Sequence, residues 1–142
     1  MATPISMLKD LYWSFFQKFD NQTDFEKELV AYNANIRKPK PKLNDIVFSE
    51  TKIVVQFNYA QDADDEDEEY EEERQILLET RNALGFTLSE LMYMVNNKVV
   101  ENEADGIDVS EQDACFFEGF EYLGDEDPDY PQIKVYFMIL GS

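Results

Sequence analysis

The chain contains no histidine, one cysteine and five glycines among its 142 residues. Without histidine the commonest general base and metal ligand are missing, and with them every Ser-His or Cys-His nucleophile pair. Cys115 alone cannot form an intrachain disulfide or complete a structural zinc site. Set before Phe116 and Phe117, it reads as a small buried hydrophobe rather than a reactive thiol. No G-x-G-x-x-G or Walker loop is present, so nothing marks a phosphate cradle. No run approaches the roughly 20 apolar residues that cross a bilayer. Lys9, Asp10 and Lys18 interrupt the apolar N-terminal stretch where a signal peptide would have its unbroken core. These absences predict a cytoplasmic protein with no cofactor, and they make the Asn21-Gln22-Thr23 sequon a chance match.

Positive charge is also scarce. Twelve bases face thirty-one acids, for a net −19. Ten of the acids fall in the thirteen residues QDADDEDEEYEEE, positions 61–73. Taking those ten charges from −19 leaves −9 on the remainder, so acidity belongs to the whole chain. A field of this sign repels nucleic acid and anionic membranes and speeds encounter with cationic partners. It specifies no oligomeric state.

What is abundant is apolar and aromatic material: 44% hydrophobic residues, with eleven Phe and eight Tyr. That suffices for a core, and the length fits a single domain spanning 1–142. Ile5, Leu8, Leu11, Tyr12, Phe15, Phe16 and Phe19 recur at helical spacing and predict a helix over 5–19. Thr23 and Glu26 form a capping box ahead of a helix over 24–36, with Phe25, Leu29, Tyr32 and Ile36 inward. RKPKPK, 37–42, ends it and reads as a loop neutralising nearby acids. Residues 46–48 and the alternating 53–59 predict a hairpin across 49–52.

Tyr70, Leu77, Leu78, Arg81 and Leu84 fit a helix closed by Gly85, whose first turn would welcome Glu71–Glu73. Asp62 to Glu69 then reads as a solvated loop. A second capping box, Thr87 to Glu90, opens a helix to about residue 102. A polar loop over 103–112 follows, and a closing hairpin pairs 116–123 with 132–140. Helix pairs alternating with hairpins imply an α+β fold: an antiparallel sheet of about four strands in two hairpins, with helices packed against it.

Carboxylates alone could bind a divalent cation. With Asp62 as position 1 of an EF-hand loop, Asp64, Glu66 and Glu73 reach positions 3, 5 and 12. However, Asp67 stands where the turn glycine is required and Glu69 where an apolar residue is usual, so no metal site is specified. The interaction reading takes Asp62, Asp64, Asp65, Glu66, Asp67, Glu68 and Glu69 with Tyr70. It adds a second acidic turn, Asp125, Glu126, Asp127 and Asp129 with Tyr130. Carboxylates supply steering and pairing with Lys or Arg, and tyrosine is favoured at interfaces.

A small acidic α+β domain with such loops resembles, at class level, the immunity proteins of bacterial toxin systems. Its tail, Phe116-Phe117-Glu118-Gly119 through Tyr136-Phe137-Met138-Ile139-Leu140-Gly141-Ser142, is similar to the closing hairpin of some of them. The likeness covers about the last quarter of the chain and carries no residue role. It implies a non-enzymatic protein that occludes the active site of a basic, nuclease-type toxin domain. A DNA-mimic or regulatory protein, a carboxylate enzyme using a divalent metal, and charge that serves solubility alone remain open at this point.

Overall fold

A long antiparallel ladder organises the chain. Strands β4 (Lys52–Asp62) and β5 (Glu69–Glu79) pair over eleven positions, from Lys52↔Glu79 to Asp62↔Glu69. Its inner face near one end is apolar, with Ile53, Val55, Phe57 and Leu78 buried. The computed structural model describes residues 4–15, 17–62, 69–100 and 116–141. Among these are two helices and eight strands, so the fold is α+β.

The main sheet differs from four antiparallel strands. It has six strands in the order β1-β7-β8-β4-β5, with β2 also on β7, and it is mixed. Here β1 is Ser6–Met7, β2 Trp13–Ser14, β7 Phe116–Gly124 and β8 Val135–Gly141. The closing hairpin β7–β8 forms as the sequence suggests, although β8 starts at Val135 and residues 132–134 stay in the turn. β8 then joins β4 in parallel, Val54↔Val135 to Gln56↔Phe137, and this makes the sheet mixed. The expected hairpin between 46–48 and 53–59 does not form. β3 (Ile46–Phe48) instead pairs with β6 (Phe86–Thr87) in a separate two-stranded sheet. At Gly85, φ is +112°, and a side chain there would collide with the Phe48 carbonyl and Ser49 backbone, so glycine permits this crossing.

The helix expected over 70–84 is strand as far as Glu79 and turn beyond it. Along 77–80 burial alternates, with Leu77 and Glu79 exposed and Leu78 and Thr80 buried. Pairing with β4 overrides the helical preference of the glutamates, since propensity is a weak term beside a ladder that buries Leu78 against Ile53.

No described residue of 5–19 is helical: two short strands, β1 and β2, flank a turn closed by Leu11 N–H on the Leu8 carbonyl at 3.1 Å, and Phe16 lies outside the described residues. The buried members of the segment are Met7, Leu11, Trp13, Phe15 and Phe19, all odd-numbered, while Ile5 is 83% exposed. The segment lies along β7 through Ser6↔Glu121 and Trp13↔Phe117. Its backbone is satisfied by asparagine amides from the two helices, α1 (Gln22–Asn35) and α2 (Leu88–Val100). Asn33 Oδ1 accepts from Tyr12 N–H at 3.2 Å, and its Nδ2 donates to the Tyr12 carbonyl at 2.9 Å. Asn97 brackets Phe19 likewise, at 3.0 and 2.9 Å. Asn96, fully buried, accepts from Trp13 Nε1 at 3.0 Å and donates to the Gln17 carbonyl at 2.9 Å. Trp13 meets Phe25 edge-on at 5.1 Å, joining this strap to α1.

Helix α1 begins two residues earlier than expected because Asn21, not Thr23, caps it, its Oδ1 accepting from Asp24 N–H at 2.8 Å. Phe25 and Leu29 face inward, while Ile36, beyond the last turn, is exposed. Helix α2 starts where its capping box places it: Thr87 Oγ1 accepts from Glu90 N–H at 3.1 Å. Both helices share one core with the inner faces of β4, β5, β7 and β8. The RKPKPK loop forms no ion pair among the described residues; Lys38 Nζ instead sits 4.8 Å over the Tyr12 ring, a cation–π contact. The expected loop at 103–112 and Cys115 lie outside the described residues.

Asn96→Ala leaves the buried Trp13 N–H and Gln17 carbonyl without partners. Urea unfolding should show a loss of about 2–3 kcal/mol, and a loss below about 0.5 kcal/mol would mean that the amide does not hold the strap.

Candidate interaction surface

The second acidic turn folds back over the sheet's outer face, opposite the helices. β7 ends at Gly124, φ +134°, a geometry that favours glycine. The backbone then closes on itself: Tyr130 N–H donates to the Asp127 carbonyl at 3.1 Å, Gln132 N–H to Asp125 at 3.2 Å and Ile133 N–H to Tyr130 at 3.2 Å. Asp127 Oδ1 accepts from Asp129 N–H at 2.9 Å, an Asx-type turn.

One side chain ties this turn to the ladder. Gln75 in β5 donates to Asp127 Oδ2 at 2.8 Å and to Gln56 Oε1 at 3.0 Å, and Gln56 stands directly opposite Gln75 in register. The Gln75 amide first, and the Asp129 N–H second, hold the Asp127 carboxyl below its ordinary range, against a small opposing effect of burial. A cleft of about 420 Å³ lies between turn and sheet, lined by Gln56, Leu123, Gly124, Asp125, Glu126, Asp127 and Val135. Asp125, Glu126 and Asp129 are exposed, and Tyr130 is half-buried. Among the described residues no lysine or arginine pairs with Asp125, Glu126, Asp127 or Asp129.

The first acidic segment does not lead into a helix. Asp62 ends β4, Glu69 opens β5, and the two stand opposite each other; Tyr70 pairs with Gln61. Asp64, Asp65, Glu66, Asp67 and Glu68 lie outside the described residues. Glu73, two residues along β5 from Gln75, is about 7 Å away along the strand. The acidic end of the ladder therefore continues from the turn that Gln75 anchors, bringing together acids some fifty positions apart in sequence.

Sequence reasoning missed Gln75, because that stretch reads as helix. The outward direction of Gln56 was legible, because 53–59 alternates. A second cavity, about 540 Å³, is lined by Leu11, Tyr12, Trp13, Tyr32, Phe116 and Phe117, with Lys9 and Glu118 at its polar side. Among the described residues no three acidic or thiol side chains gather closely enough to hold a metal ion, and no helix is long and apolar enough to cross a membrane. No family model matches the chain, and no curated protein or solved structure matches it.

The lowered Asp127 carboxyl contributes stability that is present above its unfolded pKa and lost as pH falls through the lower folded one. Gln75→Leu removes the main cause. In an NMR pH titration the Asp127 midpoint should move up toward ordinary aspartate, and an unmoved midpoint would mean that the contact does not form in solution.

Proposed function

We propose that this protein binds a basic protein partner through its acidic surface. In its most specific form the reading is that of a non-enzymatic immunity protein, which neutralises a nuclease-type toxin domain in the cytoplasm by covering its active site. The observation that carries the reading is the Gln75–Asp127 contact at 2.8 Å. It sets an acidic turn that has no cationic partner among the described residues beside the acidic end of the β4–β5 ladder. Self-repulsion at a net −19 costs folding free energy, and a partner that needs the charge explains why it is kept. Active sites that hold nucleic acid phosphates are cationic, and an array of carboxylates on a rigid turn can occupy them as phosphates would.

The test is affinity capture at low ionic strength, followed by assay of the captured protein. The reading expects a basic nuclease whose activity falls to zero at one equivalent. Changing Asp125, Glu126 and Asp129 to Asn or Gln should slow association, with dissociation changing less. Capture of a host nucleic-acid-binding protein without nuclease activity would instead favour a DNA-mimic or regulatory protein. Recovery of no basic protein at all would overturn the reading.

A further inference from the structure

Among the described residues the main sheet ends at β5. Its order ends …β8-β4-β5, so β5 has β4 on one side and, among the described residues, no strand on the other. In an antiparallel strand alternate residues turn their N–H and C=O groups away from the partner, leaving a template for another extended chain. Edges are commonly closed by a proline, a bulge or short length. β5 is eleven residues long, contains no proline and keeps unbroken register with β4. What guards it is charge: Glu69, Glu71, Glu72, Glu73 and Glu79, against Arg74 alone.

A guard of one sign is selective. A second copy laid antiparallel along the whole of β5 would set Glu69 against Glu79 at both ends and Arg74 against Arg74 at the centre, and like charges facing across a ladder destabilise it. An extended segment bearing Lys or Arg at alternate positions meets the opposite sign along the same edge. Leu77, 42% exposed on the outer face, offers that segment an apolar neighbour. We infer that the free edge of β5 receives a Lys/Arg-bearing extended segment of the partner protein by strand addition. Main-chain hydrogen bonds supply the affinity, and the glutamates select the sign of the occupant. This rests on the cationic-partner reading above and adds to it the place and the backbone mode of contact.

The probe is a synthetic peptide of about ten residues alternating Lys and Val, a length suited to one strand. Its first control carries N-methyl groups on alternate residues, which abolishes main-chain donation on one edge and leaves the charge intact. Its second control replaces Lys with Glu. Binding to the full chain is measured at low salt, together with amide hydrogen exchange over Glu73–Glu79. The unmodified peptide should bind and slow exchange there, the N-methylated one should bind at least about tenfold more weakly, and the Glu peptide should not bind. Equal binding of the N-methylated and unmodified peptides overturns strand addition while leaving the cationic-partner reading intact. Failure of both Lys peptides to bind removes that reading as well, and binding of the Glu peptide removes the sign selectivity.

Discussion

The eleven-pair ladder between β4 and β5 is the constraint on which the rest of the structure depends. One half of it is anchored. Ile53, Val55, Phe57 and Leu78 are buried against the helices, and Val54 is buried on the opposite face. The other half carries Asp62, Glu69, Glu71, Glu72 and Glu73. Burying a large aliphatic or aromatic side chain stabilises by about 1.5–3 kcal/mol, whereas exposed like charges interact by a fraction of that in water. The apolar half can therefore hold the acidic half in register. Charge that would disperse on a free loop is instead presented on a strand.

The same core explains how the remaining elements are placed. Met7, Leu11, Trp13, Phe15 and Phe19 contribute their side chains to the core. In place of a helical ladder their segment takes its backbone bonds from β7 and from Asn33, Asn96 and Asn97. These amides are paired on both their oxygen and nitrogen sides, as burial requires. They fix both helices against the strap and so leave the outer face of the sheet to the 124–134 turn. Tyr136, buried on the inner face, donates from its hydroxyl to the Pro4 carbonyl at 2.7 Å and ties the start of the described chain to β8. Burial, with Tyr122 and Glu50 nearby, pushes its pKa up to about 12, so it stays a neutral donor at physiological pH.

Much of this was readable from the sequence where local signals act alone. The Thr87 cap, the alternation of 53–59 and the apolar closing strand all specify what the structure contains. The misreadings share one physical origin. Aromatics at 5–19 satisfy a helical and a two-residue period at once, and only partners elsewhere in the chain, β7 with Asn33, Asn96 and Asn97, decide between them. Glutamates at 69–73 favour helix locally, and only pairing with β4 makes them strand. The parallel contact of β8 with β4 has no local signature at all. Of the surface, the acids themselves were legible. That Asp127 and Gln75 meet was not, because it depends on how the last hairpin lies across the sheet.

The chain has no histidine and a single cysteine, and its acidic turn is tied to the ladder through the Gln75–Asp127 contact. We propose that this surface meets a cationic protein. The most direct measurement is the association rate constant with the captured basic partner as a function of ionic strength. Electrostatic steering predicts a fall of about tenfold or more between low and physiological salt, with a dissociation rate that changes little. An association rate that stays flat across that range would contradict it.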